Sequence, residues 1–270
     1  MFKEKRLLIF RALIPIMVFL IAGGKNYIQF GVPTTSTISG QNMMLFTGSA
    51  KGISVDEQEH STISQEQSQR IIAACHAQRV ACLPRVATHS KEAVKRLLDS
   101  GADGVIVPSL ETAEEVENLI EWTKYPPLGK RGYGVARAQG YGYDFEEYTS
   151  NWNDESVMII QIESINAVEN IEALLQFEEV DGVMVGPYDI SGSLNIPGQI
   201  DHARVQEAGQ RVVDACRVHG KACGTQDIDP TPESVQRALA AGYTFVVLAS
   251  DVFILWKWGE RMRKLISECR

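Results

Sequence analysis

The stretch formed by residues 157–198 constrains the fold more than any other part of the chain. It reads VMIIQIESINAVENIEALLQFEEVDGVMVGPYDISGSLNIPG. Two apolar runs, 157–160 and 182–186, flank a segment with apolar residues at helical spacing, namely Val168, Ile171, Leu174 and Leu175. Strand, helix and strand in succession predict two parallel strands joined by a crossover helix.

Polar side chains follow both predicted strands. Gln161 and Glu163 end the first apolar run, and Pro187 and Asp189 end the second. Parallel α/β sheets bind ligands at the carboxyl ends of their strands, and two carboxylates there suit a hard divalent cation that keeps positions open for substrate. The local pattern also fits a structural interpretation, in which Glu163 caps the following helix and Asp189 serves a turn.

Composition narrows the class of protein. The chain has 270 residues, 44% of them hydrophobic and 22% charged, which is ordinary for a globular protein of one large α/β domain or two small ones. Its net charge of −8 argues against a nucleic-acid surface or general affinity for anionic membranes. Five cysteines without a C-x-x-C pair indicate reduced thiols in a cytoplasmic protein.

The first residues raise a question of location. Lys3, Lys5 and Arg6 precede an apolar segment that Arg11 and Pro15 interrupt. This pattern is similar to a signal peptide or membrane anchor, but its uninterrupted part, 12–22, is short for a spanning helix. We therefore predict that residues 1–28 are an extension outside the domain and the protein is cytoplasmic; the alternative is anchoring or export.

From residue 29 onward, strand and helix patterns alternate without a second composition regime. The strand patterns are 30–36, 53–57, 81–86, 104–108, 157–162, 182–186, 222–225 and 245–249. Helical patterns lie between most of them, with Gly101 and Gly242 as stops and Pro232 near a start. Eight such units predict an α/β fold, a single (β/α)8 TIM barrel over residues 29–270.

The carboxyl ends of these predicted strands carry a coherent set of polar side chains: Glu57, His60, Arg85, Gln161, Glu163 and Asp189. A cation would polarise a carbonyl, the arginine would hold an anion and the histidine would move a proton. Taken singly, His60 also fits a structural role and Arg85 an ordinary surface position.

Two further segments suggest contacts. The connection containing YPPLGKRGYGVARAQGYG is long and basic, with Lys130, Arg131 and Arg137. It fits either a cover over an acidic substrate or a subunit contact. The closing segment carries Phe253, Ile254, Trp256 and Trp258, which indicates a helix docked on another surface such as a neighbouring subunit.

Several motifs together resemble the HpcH/HpaI aldolase family of class II pyruvate aldolases. They are E-H near the second strand, P-R-V on the third, YPPLGKRGYG, QIES-x-x-AVENI and VDGVMVGPYDISGSLNIPG. The resemblance covers residue 30 to the end of the chain. It implies a barrel whose C-terminal helix is exchanged between subunits, in a homo-hexamer built as a trimer of dimers.

The resemblance also implies roles for individual residues. Glu163 and Asp189 match the ligands of Mg²⁺, Mn²⁺ or Co²⁺, and Arg85 matches the arginine that contacts the pyruvate oxygen. Gln161 matches a residue beside the pyruvate, and Gly186 and Pro187 match the backbone that receives its carboxylate. The acid/base histidine corresponds to His60, with Glu57 where the family has an orienting aspartate, and a further site acid corresponds to Asp99.

The activity implied is reversible cleavage of a 4-hydroxy-2-oxo acid, such as a 2-keto-3-deoxy sugar acid or related diacid. The products are pyruvate and an aldehyde, formed through a metal-stabilised enolate. The segment before His60, SAKGISVDEQEHS, departs from the family by being polar where a buried strand is expected. Two alternatives therefore stay open: a citrate- or malyl-thioester lyase on the same scaffold, and a degenerate member that acts in binding or assembly.

Overall fold

The computed structural model describes residues 65–269, and these form alternating helices and parallel strands. In chain order the elements are α1 (Gln65–Ala77), α2 (Lys91–Asp99), β1 (Gly104–Val107), α3 (Ala113–Thr123), a 3₁₀ segment (Arg137–Gly142), α4 (Phe145–Glu155), β2 (Val157–Ile162), α5 (Ile165–Glu169), α6 (Ile171–Leu175), β3 (Gly182–Val185), α7 (Pro187–Ser193), α8 (Ala203–His219), β4 (Ala222–Asp227), α9 (Pro232–Ala240), β5 (Phe245–Leu248) and α10 (Asp251–Glu268).

The strands form one all-parallel sheet in the order β1-β2-β3-β4-β5, which curls into a half-barrel. Each strand pairs with the next along the chain, for example Gly104 with Val157 and Ile159 with Gly182. Every residue of β1 and β3 is buried, as expected for apolar strands covered on both faces. The five corresponding strand predictions are confirmed to within two residues at their ends.

The prediction of a closed (β/α)8 barrel is wrong. Among residues 65–269, β1 and β5 are the two edges of a five-stranded sheet and do not meet. The predicted strand 81–86 forms only an isolated parallel bridge between Arg85 and Ile106, because Pro84 in its middle has no N–H for a ladder. The predicted strands 30–36 and 53–57 lie outside the described residues, as does the predicted extension 1–28.

Strand alternation divides the core into two clusters, since successive side chains point to opposite faces of a sheet. The larger cluster joins one face, including Val105, Ile160 and Val183, to the surrounding helices. The smaller cluster fills the inner face of the curl and comprises Leu83, Ile106, Ile159, Met184, Phe245 and Val247. The inner face leads directly to the polar residues at the carboxyl edge.

Local sequence explains where the helices begin and end. Ser90 caps α2 by accepting a bond from the Ala93 N–H, and Thr112 and Glu115 form a capping box at α3. Gly101 ends α2 with a φ of 100°, a conformation that favours glycine. The helix predicted between β2 and β3 is two short helices, α5 and α6, which meet at Asn170.

The last helix, α10, presents a row of large apolar side chains to solvent. The exposed ones are Val252, Leu255, Trp256, Trp258, Leu265 and Ile266. Within residues 65–269, no helix combines the length and the apolar character that a membrane crossing requires.

Candidate functional site

A polar group forms where the inner face of the sheet reaches its carboxyl edge. Gln161 and Glu163 continue the row of side chains that Ile159 begins on β2, and Arg85 continues the row of Leu83. Gly186 and Asp189 follow β3, the next strand in the sheet. The order β1-β2-β3 thus places the predicted polar residues side by side.

The Glu163 carboxylate is held from two directions. Its Oε2 accepts bonds from the Ser109 N–H at 3.0 Å and the Ser109 hydroxyl at 2.8 Å. Its Oε1 lies 3.6 Å from Nη2 of Arg85, and both side chains are mostly buried. Glu163 therefore does not cap α5, because Ser164 performs that role by accepting from the Ala167 N–H.

Asp189 and Glu163 approach the same side of Gly186, where the Cβ of any other residue would lie. A Cβ built on Gly186 would lie 3.0 Å from Cγ of Glu163, 3.5 Å from Oδ2 of Asp189 and 3.7 Å from Oε1 of Glu163. A larger residue at position 186 would push into this space. The glycine thus lets carboxylates from two successive strand ends converge.

Arg85 connects the carboxylates to Gln161. Its Nε donates to Oε1 of Gln161, whose side chain is buried. Burial lowers the pKa of the Arg85 guanidinium, while Glu163 and Asp189 raise it in part. The guanidinium stays charged near neutral pH. Two carboxylates and one guanidinium leave one excess negative charge at the site.

This donor set fits a hard divalent cation. Glu163 and Asp189 supply carboxylate oxygens, which Mg²⁺ prefers, and one or two protein carboxylates are the usual number for this ion. No group of three or more histidine, cysteine, aspartate or glutamate side chains in residues 65–269 is arranged as a metal site. Water and substrate oxygens would complete the coordination of such a cation.

Ser109 and Glu111 belong to this edge, although the sequence patterns did not point to either. Ser109 has a φ of 52°, a left-handed conformation that costs a non-glycine residue about 1 kcal/mol. Glu111 accepts a bond from Ser164, which ties the loop after β1 to the loop after β2. A serine after an apolar strand is common, so only the structure reveals its contact with Glu163.

Asp99 lies apart from this group within the chain. It ends α2, which leads into the start of β1, so it sits at the amino edge of the sheet, opposite Glu163. Its carboxylate accepts from Lys95 and lies 3.3 Å from Nη2 of Arg131. Its site role stays a prediction. Glu57 and His60 lie outside the described residues, so their roles stay predictions as well.

The basic connection after α3 is bound internally. The Arg131 side chain is 1% exposed, and its guanidinium lies 4.4 Å from the ring centre of Trp152 and 4.8 Å from that of Tyr125. Lys130 pairs with Glu121, and Nη1 of Arg137 donates to the Ser100 carbonyl at 2.9 Å. These three basic side chains therefore tie the connection to α2, α3 and α4.

The fold and site define an α/β protein with an oxygen-rich, anionic site at the carboxyl edge of a parallel sheet. The family model described as HpcH/HpaI aldolase/citrate lyase matches residues 52–257, which is most of the chain. The chain therefore belongs to the HpcH/HpaI aldolase/citrate lyase family, as its motifs indicated.

Proteins with similar sequences and structures support this family membership. A curated relative, 2-keto-3-deoxy-L-rhamnonate aldolase from Salmonella dublin, is 39% identical over 171 residues, which are 61% of this chain and 61% of the relative. The HpcH/HpaI aldolase from Desulfitobacterium hafniense DCB-2 superposes with a TM-score of 0.71 and 29% identity, covering 78% of this chain and 81% of that one. Citrate synthase SbnG superposes with a TM-score of 0.67 and 25% identity, covering 78% of this chain and 81% of that one.

Proposed function

We propose that this protein is a metal-dependent aldolase that cleaves a 4-hydroxy-2-oxo acid to pyruvate and an aldehyde. The observation that carries the proposal is the convergence of Glu163 and Asp189 on Gly186, with Arg85 beside them. In this arrangement, two carboxylates can bind a divalent cation. The Arg85 guanidinium beside them can bind the negative charge of the substrate.

Glu163 and Asp189 would hold the cation, which is Mg²⁺, Mn²⁺ or Co²⁺. When bound, it supplies positive charge that favours the enolate form of the 2-oxo acid. Arg85 would contact the pyruvate oxygen, and Gln161 orients the arginine by accepting its Nε–H. The backbone at Gly186 and Pro187 would receive the substrate carboxylate.

The bond changes follow from the chemistry of a retro-aldol cleavage. A base removes the proton of the C4 hydroxyl, the C3–C4 bond breaks, and its electron pair passes into the enolate as the aldehyde leaves. A proton then returns to C3 to give pyruvate. His60 with Glu57 is our proposed acid/base pair, on the resemblance to the family and on the suitability of imidazole for proton transfer near neutral pH.

A 2-keto-3-deoxy sugar acid is the substrate class we favour. Relatives that match the chain include several named 2-keto-3-deoxy-L-rhamnonate aldolase, at 39% identity. The chain spans about 61% of the length of these relatives, so their activity supports the proposal by similarity alone.

We also propose a homo-hexamer, a trimer of dimers, in which α10 packs on a neighbouring subunit. The exposed Trp256 and Trp258 support this because large apolar patches mark interaction sites. A cytoplasmic location is proposed on the five free thiols, Cys75, Cys82, Cys216, Cys223 and Cys269.

The test is release of pyruvate from a panel of 4-hydroxy-2-oxo acids, measured with coupled lactate dehydrogenase. The assay is run with Mg²⁺ or Mn²⁺ and again with a chelator. We expect chelator-sensitive release, and a loss of about 10- to 100-fold in kcat/KM for Arg85→Ala with Mn²⁺ binding retained, since bonds to a charged group are lost. Arg211→Ala, in an exposed pair with Glu172, is the matched control.

Absence of pyruvate from every substrate, with Mn²⁺ bound, would contradict the aldolase proposal. The similarity to citrate synthase SbnG then favours the citrate-type alternative, which an assay for citrate formation or cleavage tests. Cation binding without turnover in either assay would favour a degenerate member.

A further inference from the structure

Ser109 is built into the site in a way that the general chemistry of an aldolase does not require. It follows Pro108 at the end of β1 and adopts a left-handed backbone with a φ of 52°. Serine rarely adopts this conformation, because its Cβ crowds the backbone, and such residues persist where the surroundings hold them. In this chain the holding contacts are with Glu163.

Both donors of Ser109 point to a single oxygen. The N–H and the hydroxyl bond Oε2 of Glu163 at 3.0 Å and 2.8 Å, while Oε1 faces Arg85 and the Gly186 backbone. The two oxygens of the carboxylate therefore have different surroundings. Ser109, in this left-handed backbone, thus supplies both donors to one oxygen.

We propose that Ser109 is a positioning residue for the cation ligand Glu163. By holding Oε2, it fixes the plane of the carboxylate and leaves Oε1 to bind the cation together with Asp189. This inference rests on the proposed function, because it assigns Glu163 to the cation. Residues that orient a metal ligand typically change metal affinity or activity by about 10- to 100-fold when they are replaced.

Ser109→Ala and Ser109→Gly separate the hydroxyl from the backbone conformation. Both lack the hydroxyl and keep the N–H, but glycine adopts a φ of 52° without crowding. If the hydroxyl positions Glu163, both variants lose affinity for the cation. If the serine serves only the loop conformation, Ser109→Gly binds the cation as the wild type does.

The experiment is titration of the full-length protein with Mn²⁺ alone, followed by the electron paramagnetic resonance signal of the free ion. We expect the Kd of both Ser109 variants to rise about tenfold. Melting temperatures in the absence of metal check folding, and Ser109→Gly should melt no lower than the wild type. Ser150→Ala is the matched control, because the Ser150 hydroxyl donates to the Glu147 carbonyl on an exposed face of α4.

The variants distinguish an error in the role of Ser109 from an error in the cation site itself. Wild-type affinity in Ser109→Ala or Ser109→Gly, with binding abolished in Glu163→Gln, would overturn the role of Ser109 and leave the cation site standing. Failure of the wild type itself to bind Mn²⁺, or unchanged binding in Glu163→Gln, would overturn the cation site and the role of Ser109 with it.

Discussion

Gly186 shows how a single residue decides whether two carboxylates can share a ligand. Replacement by alanine places a methyl group 3.0 Å from Cγ of Glu163 and 3.5 Å from Oδ2 of Asp189. We expect Gly186→Ala to displace one carboxylate and to weaken Mn²⁺ binding about tenfold. The measurement is the same Mn²⁺ titration.

Gly192 on α7 provides the matched control for this substitution. Apart from the backbone of its own helix, a Cβ there meets no heavy atom of residues 65–269 within 4 Å, so Gly192→Ala should bind Mn²⁺ as the wild type does. Equal affinity of Gly186→Ala and the wild type would show that the two carboxylates do not act together on one cation.

The sequence was informative at residue scale where chemistry depends on residue type and strand position. The sequence predicted Arg85, Gln161, Glu163 and Asp189 at strand ends. In the structure Arg85 contacts Gln161 and Glu163, and Glu163 and Asp189 lie on the same side of Gly186. Ser109 could not be predicted, because its role depends on a backbone angle and on a partner 54 positions away. Asp99 was assigned by resemblance alone, and its partners in the chain are Lys95 and Arg131.

At the scale of elements, Arg131 joins α2 to α4. It pairs with Asp99 and stacks on Trp152, and its Nη1 donates to the Tyr148 hydroxyl at 3.1 Å. Lysine would keep the charge but lose the stacking and the planar bonds. We therefore expect Arg131→Lys to lower the free energy of unfolding by about 2 kcal/mol, measured by urea denaturation.

The neighbouring Lys130 tests whether burial causes this effect. Its side chain is 70% exposed in a pair with Glu121, so Lys130→Met should change the free energy of unfolding by only about 0.5 kcal/mol. Similar losses for Lys130→Met and Arg131→Lys would contradict a central role for the buried guanidinium.

His76 links the end of α1 to the turn before β1 through a pair that depends on pH. Its Nε2 lies 2.9 Å from Oδ2 of Asp103, which also accepts the Cys82 N–H at 2.7 Å. The bond to Asp103 is the main reason that the pKa of His76 is raised. A raised folded pKa stabilises the fold fully below the unfolded value and loses this effect as pH rises through the folded value.

We therefore expect the free energy of unfolding to fall by about 0.5 kcal/mol more in the wild type than in His76→Gln as pH rises from about 5.5 to about 8.5. The change is small because the His76 and Asp103 side chains are partly exposed and solvent screens their interaction. Urea denaturation across this range is the measurement. Asp103→Asn keeps an acceptor for Cys82 and should match His76→Gln. A wild-type slope in both variants would remove the pair from the pH dependence.

At the scale of the whole molecule, the alternation of strand and helix patterns in the sequence correctly predicted five strands, but it wrongly predicted a closed barrel. Four of the confirmed strands, β1, β2, β3 and β5, are short and mainly apolar, and β1 and β3 are buried at every position, as strands covered on both faces are. Closure depends on backbone pairing, which apolar patterns do not report. The segment 81–86 shows this, because it runs beside β1 yet makes one bridge around Pro84.

The exposed face of α10 carries the last prediction, which concerns assembly. Trp256 and Trp258 are 51% and 56% exposed, and apolar surface of this kind is stabilised by burial against another chain. Ending the chain before Val252, or replacing both tryptophans by serine, should reduce the proposed hexamer to smaller species in sedimentation velocity. Lys264→Ala, in an exposed pair with Glu268, is the control and should keep the wild-type mass. Because the tryptophan variant keeps the helix and the chain length, an unchanged mass in that variant would show that α10 does not hold the subunits together.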